Sequence, residues 1–408
     1  MKFKKLIFIS ILIVSSHYHT ACATPSNSTD KQPRLIPVLK DYTKSMLNKK
    51  DEDGGYITAI SLTSQCKDNS TISVFAGTRG IHDLTPINEN SIFQIGSVTK
   101  SFVSLVILQL AEENKINIDD NSVLKKWFPE YPKWGHITLR QLMNMTSGIP
   151  GNSNNLPDNI FKYFTAKEYF GYIEPNKILN LTYKFPLHFN PGTQFEYSNT
   201  NYILLGQLIK KITHHEPQFE IKKRILNPLG LRNTHFVVDK GDEIPNVDKK
   251  QLVHGYAFQS KKSKPYPFMP YGADTLHFSL SYANSSGAMV STPHDINIYS
   301  HSIFEKDGLF NKYENQLTTF VSKQTGKSIK FPTMTDRQGY GQGIIGYYWN
   351  KSHPILYAFN GTTDGFIFNS LFDPSTQTYL TVAINSHADV FGLEEVLKLV
   401  EKVEKNCL

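Results

Sequence analysis

Ser97-Val98-Thr99-Lys100 sets a hydroxyl and an amine at i and i+3. On a helix that spacing brings both side chains to one face. A lysine in a poorly solvated place gives up its proton more readily. The neutral amine can then help deprotonate a serine, whose hydroxyl is otherwise a weak nucleophile. The chemistry would be nucleophilic attack by the serine oxygen. Taken alone, the spacing equally fits a helix-capping serine followed by a surface lysine. A second set is Tyr197-Ser198-Asn199. A tyrosine can exchange protons when a nearby cation depresses its pKa, and Lys100 would be such a cation. Asn199 has an acceptor and two donors, so it can orient a lysine and a substrate amide together. By itself this triplet also reads as an ordinary turn with a packed tyrosine and a capping asparagine.

These residues need elements to hold them. The strand-like piece Ser91 to Ile95 precedes Ser97, and a helix from Ser101 to Glu113 follows. That helix is apolar on almost every side, which marks it as buried. Its first turn would present free N–H groups and partial positive charge to a developing anion. Tyr197 follows the Pro191-Gly192 turn and precedes a helix from Tyr202 to Ile212, with His214-His215 as its polar end. At the chain ends the signal is β. Tyr56 to Ser64 and Thr71 to Gly77 form a hairpin through Lys67-Asp68-Asn69-Ser70, and Phe366 to Phe372 pairs with Tyr379 to Asn385 around Asp373-Pro374-Ser375. Helices are expected over residues 36–50 and Gly392 to Glu404. The layout predicts an α+β fold, an antiparallel sheet built from both chain ends and flanked by helices, with an inserted mainly helical lobe. The sheet draws on about residues 36–95 and 276–404, the lobe on about 96–275. Residues 24–35 are polar and are expected to be disordered.

In combination the motifs resemble the serine β-lactamase and penicillin-binding-protein family. The branch is that of class C β-lactamases and D-alanyl-D-alanine carboxypeptidases, with their esterase relatives. Its Y-x-N motif corresponds to Tyr197 to Asn199. The resemblance covers about residues 36–400. It includes Phe93 to Gly96, Ile118 to Asp120, Ile137 to Leu142, Thr146 to Pro150, Asn201 to Gly206, Pro228 to Leu231, Ser286 to Pro293 and Tyr340 to Gly343. It implies a β-lactamase/transpeptidase-like fold and a serine hydrolase in which Ser97, Lys100 and Tyr197 are catalytic. Lys100 and Tyr197 would share the role of base. Asn199, Asn360, Gly361 and Thr362 would hold the substrate. The backbone N–H groups of Ser97 and Thr362 would form the oxyanion hole. The third motif, K-T-G or H-x-G in relatives, is Phe359-Asn360-Gly361 here. Its cation is replaced by Phe359, which can neither bind a substrate carboxylate nor tune the tyrosine and lysine. Two readings follow: an active hydrolase shifted toward uncharged esters or amides, or a weak or inactive cell-envelope binding protein on the same fold. His353 lies six residues upstream and would reach the site only by an unusual loop path. Met145 stands where relatives often have histidine.

The remaining composition narrows the classes. With 39% hydrophobic and 19% charged residues the chain is globular. Lys2, Lys4 and Lys5, the apolar run Leu6 to Val14 and Ala21-Cys22-Ala23 read as an export signal cleaved before Thr24. The protein is therefore expected to be periplasmic or secreted, with lipidation at Cys22 as the second option. Without residues 1–23, 40 basic residues face 36 acidic ones. That mild balance is not a nucleic-acid footprint, and the Lys261, Lys262 and Lys264 cluster reads as a solvated loop. No H-E-x-x-H is present and the 14 histidines show no ligand spacing, so no metal or other cofactor is expected. The expected partner is a small-molecule or peptide acyl substrate, peptidoglycan-derived peptides included. Aromatics at 12% could suit a sugar surface, but core packing explains them more simply. Three cysteines exclude a disulfide-dense scaffold; Cys66 and Cys407 could form one bridge between the chain ends or remain free thiols.

Overall fold

The structure, a computed structural model, describes residues 32–47, 49–67, 71–151, 163–238, 247–258, 269–276, 278–388 and 391–407. The export signal, Cys22, the Asp68–Ser70 turn and the 261–264 lysines lie outside them.

A nine-stranded sheet forms the centre. Its strands are β1 (Ala59–Gln65), β2 (Ile72–Gly77), β3 (Phe320–Ser322), β4 (Ser328–Ile329), β5 (Gln338–Tyr340), β6 (Ile345–Tyr347), β7 (Leu356–Thr363), β8 (Phe366–Asp373) and β9 (Thr378–Ile384). The order is β2-β1-β9-β8-β7-β6-β5-β3-β4, and every neighbouring pair is antiparallel. Both chain ends therefore meet in the middle, with Ile60 opposite Ile384. The central strands are buried on both faces, because helices cover both.

The outer face is covered by the terminal helices α1 (Gln32–Leu47) and α5 (Leu393–Cys407). Leu35, Leu39 and Met46 from the first, and Val396, Leu399 and Val403 from the second, pack on Ile60, Leu62, Leu371, Leu380 and Val382. The helix begins at Gln32, and Leu35 is buried, so the expected disorder over 24–35 does not extend to its last residues. Burial of its apolar face outweighs the polar sequence just before it. Cys66 and Cys407 are joined by a disulfide, with their Cα atoms 5.9 Å apart.

The inner face carries the other core. Helix α2 (Thr99–Glu112) is buried along almost its whole length, as its all-round apolarity requires. Helix α3 (Asn199–Thr213) packs beside it, and α4 (Pro293–Phe304) lies against the sheet. Phe304 of α4 stacks on Tyr357 and Phe372, with ring centroids 5.0 and 4.9 Å away. Strand parity decides which side chains of β7 face inward. Tyr357 and Phe359 join the inner core, whereas Leu356 and Ala358 join the outer one.

The stretch Ile137 to Leu142 has a structural explanation. Thr138 and Gln141 form a reciprocal cap on the short helix Leu139–Met143. Arg140 holds Asp119 through two hydrogen bonds of 2.6 and 2.8 Å. Among the described residues no helix is long and apolar enough to cross a membrane.

Candidate active site

Ser97 sits in a single 3-10 turn, Gly96–Val98, between the two-residue strand Phe93–Gln94 and α2. That tight entry depends on two glycines. Gly96 has φ +49, and a Cβ there would stand 2.8 Å from the Thr362 nitrogen. A Cβ on Gly361 would stand 1.8 Å from the Ile95 carbonyl oxygen and 2.9 Å from the Ser97 nitrogen. Backbone meets backbone here, so neither position admits a side chain. The approach brings the Ser97 and Thr362 amides to one end of the cleft.

Lys100, one helical turn on, is fully buried, while Ser97, Tyr197 and Asn199 are half-buried and Thr362 is exposed. The Lys100 Nζ lies 2.9 Å from Ser97 Oγ, 2.7 Å from Asn199 Oδ1 and 2.6 Å from the Ser286 carbonyl oxygen. Burial pushes the Lys100 pKa well below the usual lysine value. A neutral amine has two N–H groups and one lone pair. Asn199 Oδ1 and the Ser286 carbonyl can only accept, so they take the two protons. The lone pair is left for the Ser97 hydroxyl.

Tyr197 donates its hydroxyl proton to Ser97 Oγ at 2.7 Å. Its pKa is pushed up to about 12, chiefly by burial, with the hydrogen bond to Ser97 opposing. The expected depression of the tyrosine by a charged Lys100 is therefore reversed. The same burial that makes Lys100 a poor cation keeps the phenol protonated, although the amine lies only 4.8 Å from its ring centroid.

The structure thus brings Ser97, Lys100, Tyr197 and Asn199 together, with Gly361 and the Thr362 backbone against them. Asn360 shares the parity of Leu356 and Ala358, and its Nδ2 donates to the Tyr347 hydroxyl at 2.9 Å. Phe359 points inward and packs with Tyr299 and Phe304, at centroid distances of 5.5 and 6.0 Å. His353 stands away from Ser97 with Asp373 and Glu404 on α5. Met145 has φ +66, and its thioether accepts from the Ser198 N–H at 3.3 Å, which fixes the residue between Tyr197 and Asn199.

Two contributors were not singled out from the sequence. The Ser286 carbonyl on Lys100 and the Tyr340 ring, edge to face with Tyr197, both lie within family-like stretches, but neither residue carries a reactive-group signal in its own spacing.

The beta-lactamase family model matches residues 66–401. The chain belongs to that family. Its catalogue of relatives includes "Protein flp" of Staphylococcus aureus (strain NCTC 8325 / PS 47), 28% identical over 318 residues, or 76% of this chain and 55% of that protein. Penicillin-binding protein 4* of Bacillus subtilis (strain 168) is 30% identical over 249 residues, 60% of this chain and 52% of that one. The chain spans about half the length of these curated relatives. Among solved structures, D-amino acid amidase from Ochrobactrum anthropi SV3 complexed with L-phenylalanine has a TM-score of 0.72 at 23% identity, covering 90% of this chain and 99% of that one. A penicillin-binding protein from Bacillus halodurans gives 0.67 at 20%, covering 84% and 96%. These two share the fold, which bears out the α+β sheet-and-lobe architecture.

Proposed function

We propose that this beta-lactamase-family protein is an exported serine hydrolase that cleaves uncharged esters or amides through an acyl-enzyme on Ser97. The observation that carries the reading is the arrangement at Lys100: a buried amine within hydrogen-bond distance of two carbonyl oxygens and of Ser97 Oγ, so that in its neutral form the lone pair faces Ser97. Lys100 accepts the serine proton as Ser97 Oγ attacks the acyl carbon. The tetrahedral oxyanion is met by the Ser97 and Thr362 amides; losing one such donor typically costs about 2.7–4 kcal/mol. The proton then passes to the leaving alcohol or amine as its bond to the acyl carbon breaks, with the Tyr197 phenol as the neighbouring donor. Water, deprotonated in turn by Lys100, releases the acid and restores Ser97.

Phe359 supports the choice of substrate. An apolar ring packed on Tyr299 and Phe304 offers a carboxylate nothing, so penicillins and free D-Ala-D-Ala ends are disfavoured. Simple esters and amides without a carboxylate need no such clamp. Export rests on residues 1–23, and the N-terminus of the protein recovered from cells tests it.

The catalytic test is intact mass after exposure to p-nitrophenyl esters and a fluorescent penicillin. Ester turnover or an acyl adduct that Ser97→Ala abolishes is expected; equal behaviour of the two proteins would sink the reading. Phe359→His should raise activity toward carboxylate-bearing substrates, and no change would remove the argument from Phe359.

A further inference from the structure

The segment from β3 through β4 to β5 carries a pattern that neither core nor site uses. Residues 323–337 hold four cations, Lys323, Lys327, Lys330 and Arg337, against one carboxylate, Asp336. Phe331 and Met334 stand among them. Phe331 is 38% exposed and Met334 is 64% exposed. Single exposed apolar residues are ordinary, but two in one short loop beside unpaired cations call for a use.

The exposure is built into the fold. The Thr333 N–H donates to the Asp336 carbonyl at 2.9 Å, and the Asp336 N–H donates to Thr333 Oγ1 at 3.2 Å, which sets Met334 on a tight turn. Gln324 Nε2 donates to the Thr335 carbonyl at 3.4 Å and ties this turn to the one that follows β3. Pro332, between the two apolar residues' positions, is buried. The loop lies at the sheet edge, where β4 is only two residues long.

The cations divide in two. Lys323 donates to Gln338 Oε1 at 2.7 Å. Lys327, Lys330 and Arg337 are exposed, and among the described residues their side chains have no ion-pair partner. The Lys330 Nζ lies 5.8 Å from the Phe331 ring centroid, so charge and ring are presented together. Two apolar side chains on one loop fall far short of a protein interface. They suit a yielding surface, in which ring and thioether enter the boundary between headgroups and acyl chains while the cations meet lipid phosphates.

We propose that the loop between β4 and β5 docks the protein on an anionic phospholipid bilayer, with Phe331 and Met334 inserted and Lys327, Lys330 and Arg337 on the phosphates. The same hairpin is braced on the catalytic segment. A Cβ on Gly326, at φ +69, would stand 2.3 Å from the Gln194 carbonyl carbon and 2.7 Å from the Phe195 nitrogen, just ahead of Tyr197.

The test is sedimentation of the purified full chain with vesicles of phosphatidylcholine alone, or of equal parts phosphatidylcholine and phosphatidylglycerol. The wild type should bind the mixed vesicles, bind the neutral ones far less, and release as salt is raised. Phe331→Ser with Met334→Ser should lower partitioning at least about tenfold, from the apolar burial lost. Replacing Lys327, Lys330 and Arg337 by Gln should cost about fivefold for each cation and erase the preference for anionic vesicles. Thermal midpoints should stay at the wild-type value, because every altered side chain is exposed. Residues 1–23 are the same in all variants and cannot produce these differences. In Met334→Trp, the added emission should shift to the blue on mixed vesicles and be quenched by brominated acyl chains. No binding by the wild type, equal binding to both vesicle types, equal partitioning of wild type and variants, or an unquenched Met334→Trp signal each overturns the inference. Vesicle binding does not involve Ser97, so each of these outcomes leaves the hydrolase reading intact.

Discussion

In the proposed reaction Lys100 takes the first proton. Its two hydrogen bonds to carbonyl oxygens leave one lone pair, and burial favours the neutral amine. Protonation at low pH would fill that lone pair and stop acylation. The burst rate should therefore rise with pH through a single limb set by Lys100, below the ordinary 10.5. Tyr197 stays protonated to about 12, so it adds no limb at lower pH. If Tyr197 were the base, the rate would instead keep climbing toward that value. Lys100→Met should lower acylation by about 10²–10⁴-fold, the usual worth of a positioned proton acceptor.

At the scale of elements, α5 is tied to the sheet by a buried polar cluster. His353, in the loop after β6, places Nδ1 2.5 Å from Asp373 Oδ2 and Nε2 3.3 Å from Glu404 Oε2. Thr376 donates to Glu404 at 2.8 Å, and the Trp349 indole donates to Glu401 at 2.9 Å. Burial first, and Asp373 second, push the Glu404 pKa up to about 7. A carboxyl raised above its unfolded value binds more protons in the folded state. Its ionisation therefore lowers stability as pH rises from about 4.5 to about 7. Urea midpoints measured across that window should fall in the wild type and flatten in Glu404→Gln; an unchanged slope would assign the titration elsewhere.

The elements were also the most legible part of the sequence. β1, β2, β8 and β9 announce themselves by β-branched and aromatic runs, and α2 by apolarity on all sides. Ser97 with Lys100, and Tyr197 with Asn199, are legible because a helical turn or a tight connection fixes each pair locally. What was not legible arrives from far along the chain. The Ser286 carbonyl reaches Lys100 across 186 residues, and a backbone oxygen leaves no trace in residue type. Asn360 shows a further gap: motif membership does not name a side chain's partner, and its Nδ2 goes to the Tyr347 hydroxyl. Tyr197 shows the limit of pairwise electrostatics: a neighbouring lysine lowers a phenol's pKa only while that lysine is charged.

For the whole molecule, the sheet separates two cores, and the chain ends close the outer one. The Cys66–Cys407 bridge spans 341 residues. In the chain-entropy description, closing so long a loop is worth up to about 5 kcal/mol. Reduction, or Cys407→Ser, should lower the thermal midpoint and free the α1–α5 layer. It should spare Ser97 acylation below the transition, because the bridge lies on the face opposite the site. An equal midpoint with and without reductant would show that the bridge does not form.

The central position of β1 has a consequence for how the chain is made. β1 is complete by residue 65, yet one of its two neighbours, β9, comes only with residues 378–384. Throughout synthesis of the intervening lobe, a strand buried on both faces has an open edge and no lid. Chains cut short of β9 therefore keep a sticky, unpaired strand. Such fragments should precipitate rather than persist as smaller enzymes, and the residues from Thr378 onward decide whether any of the 377 before them can remain in solution.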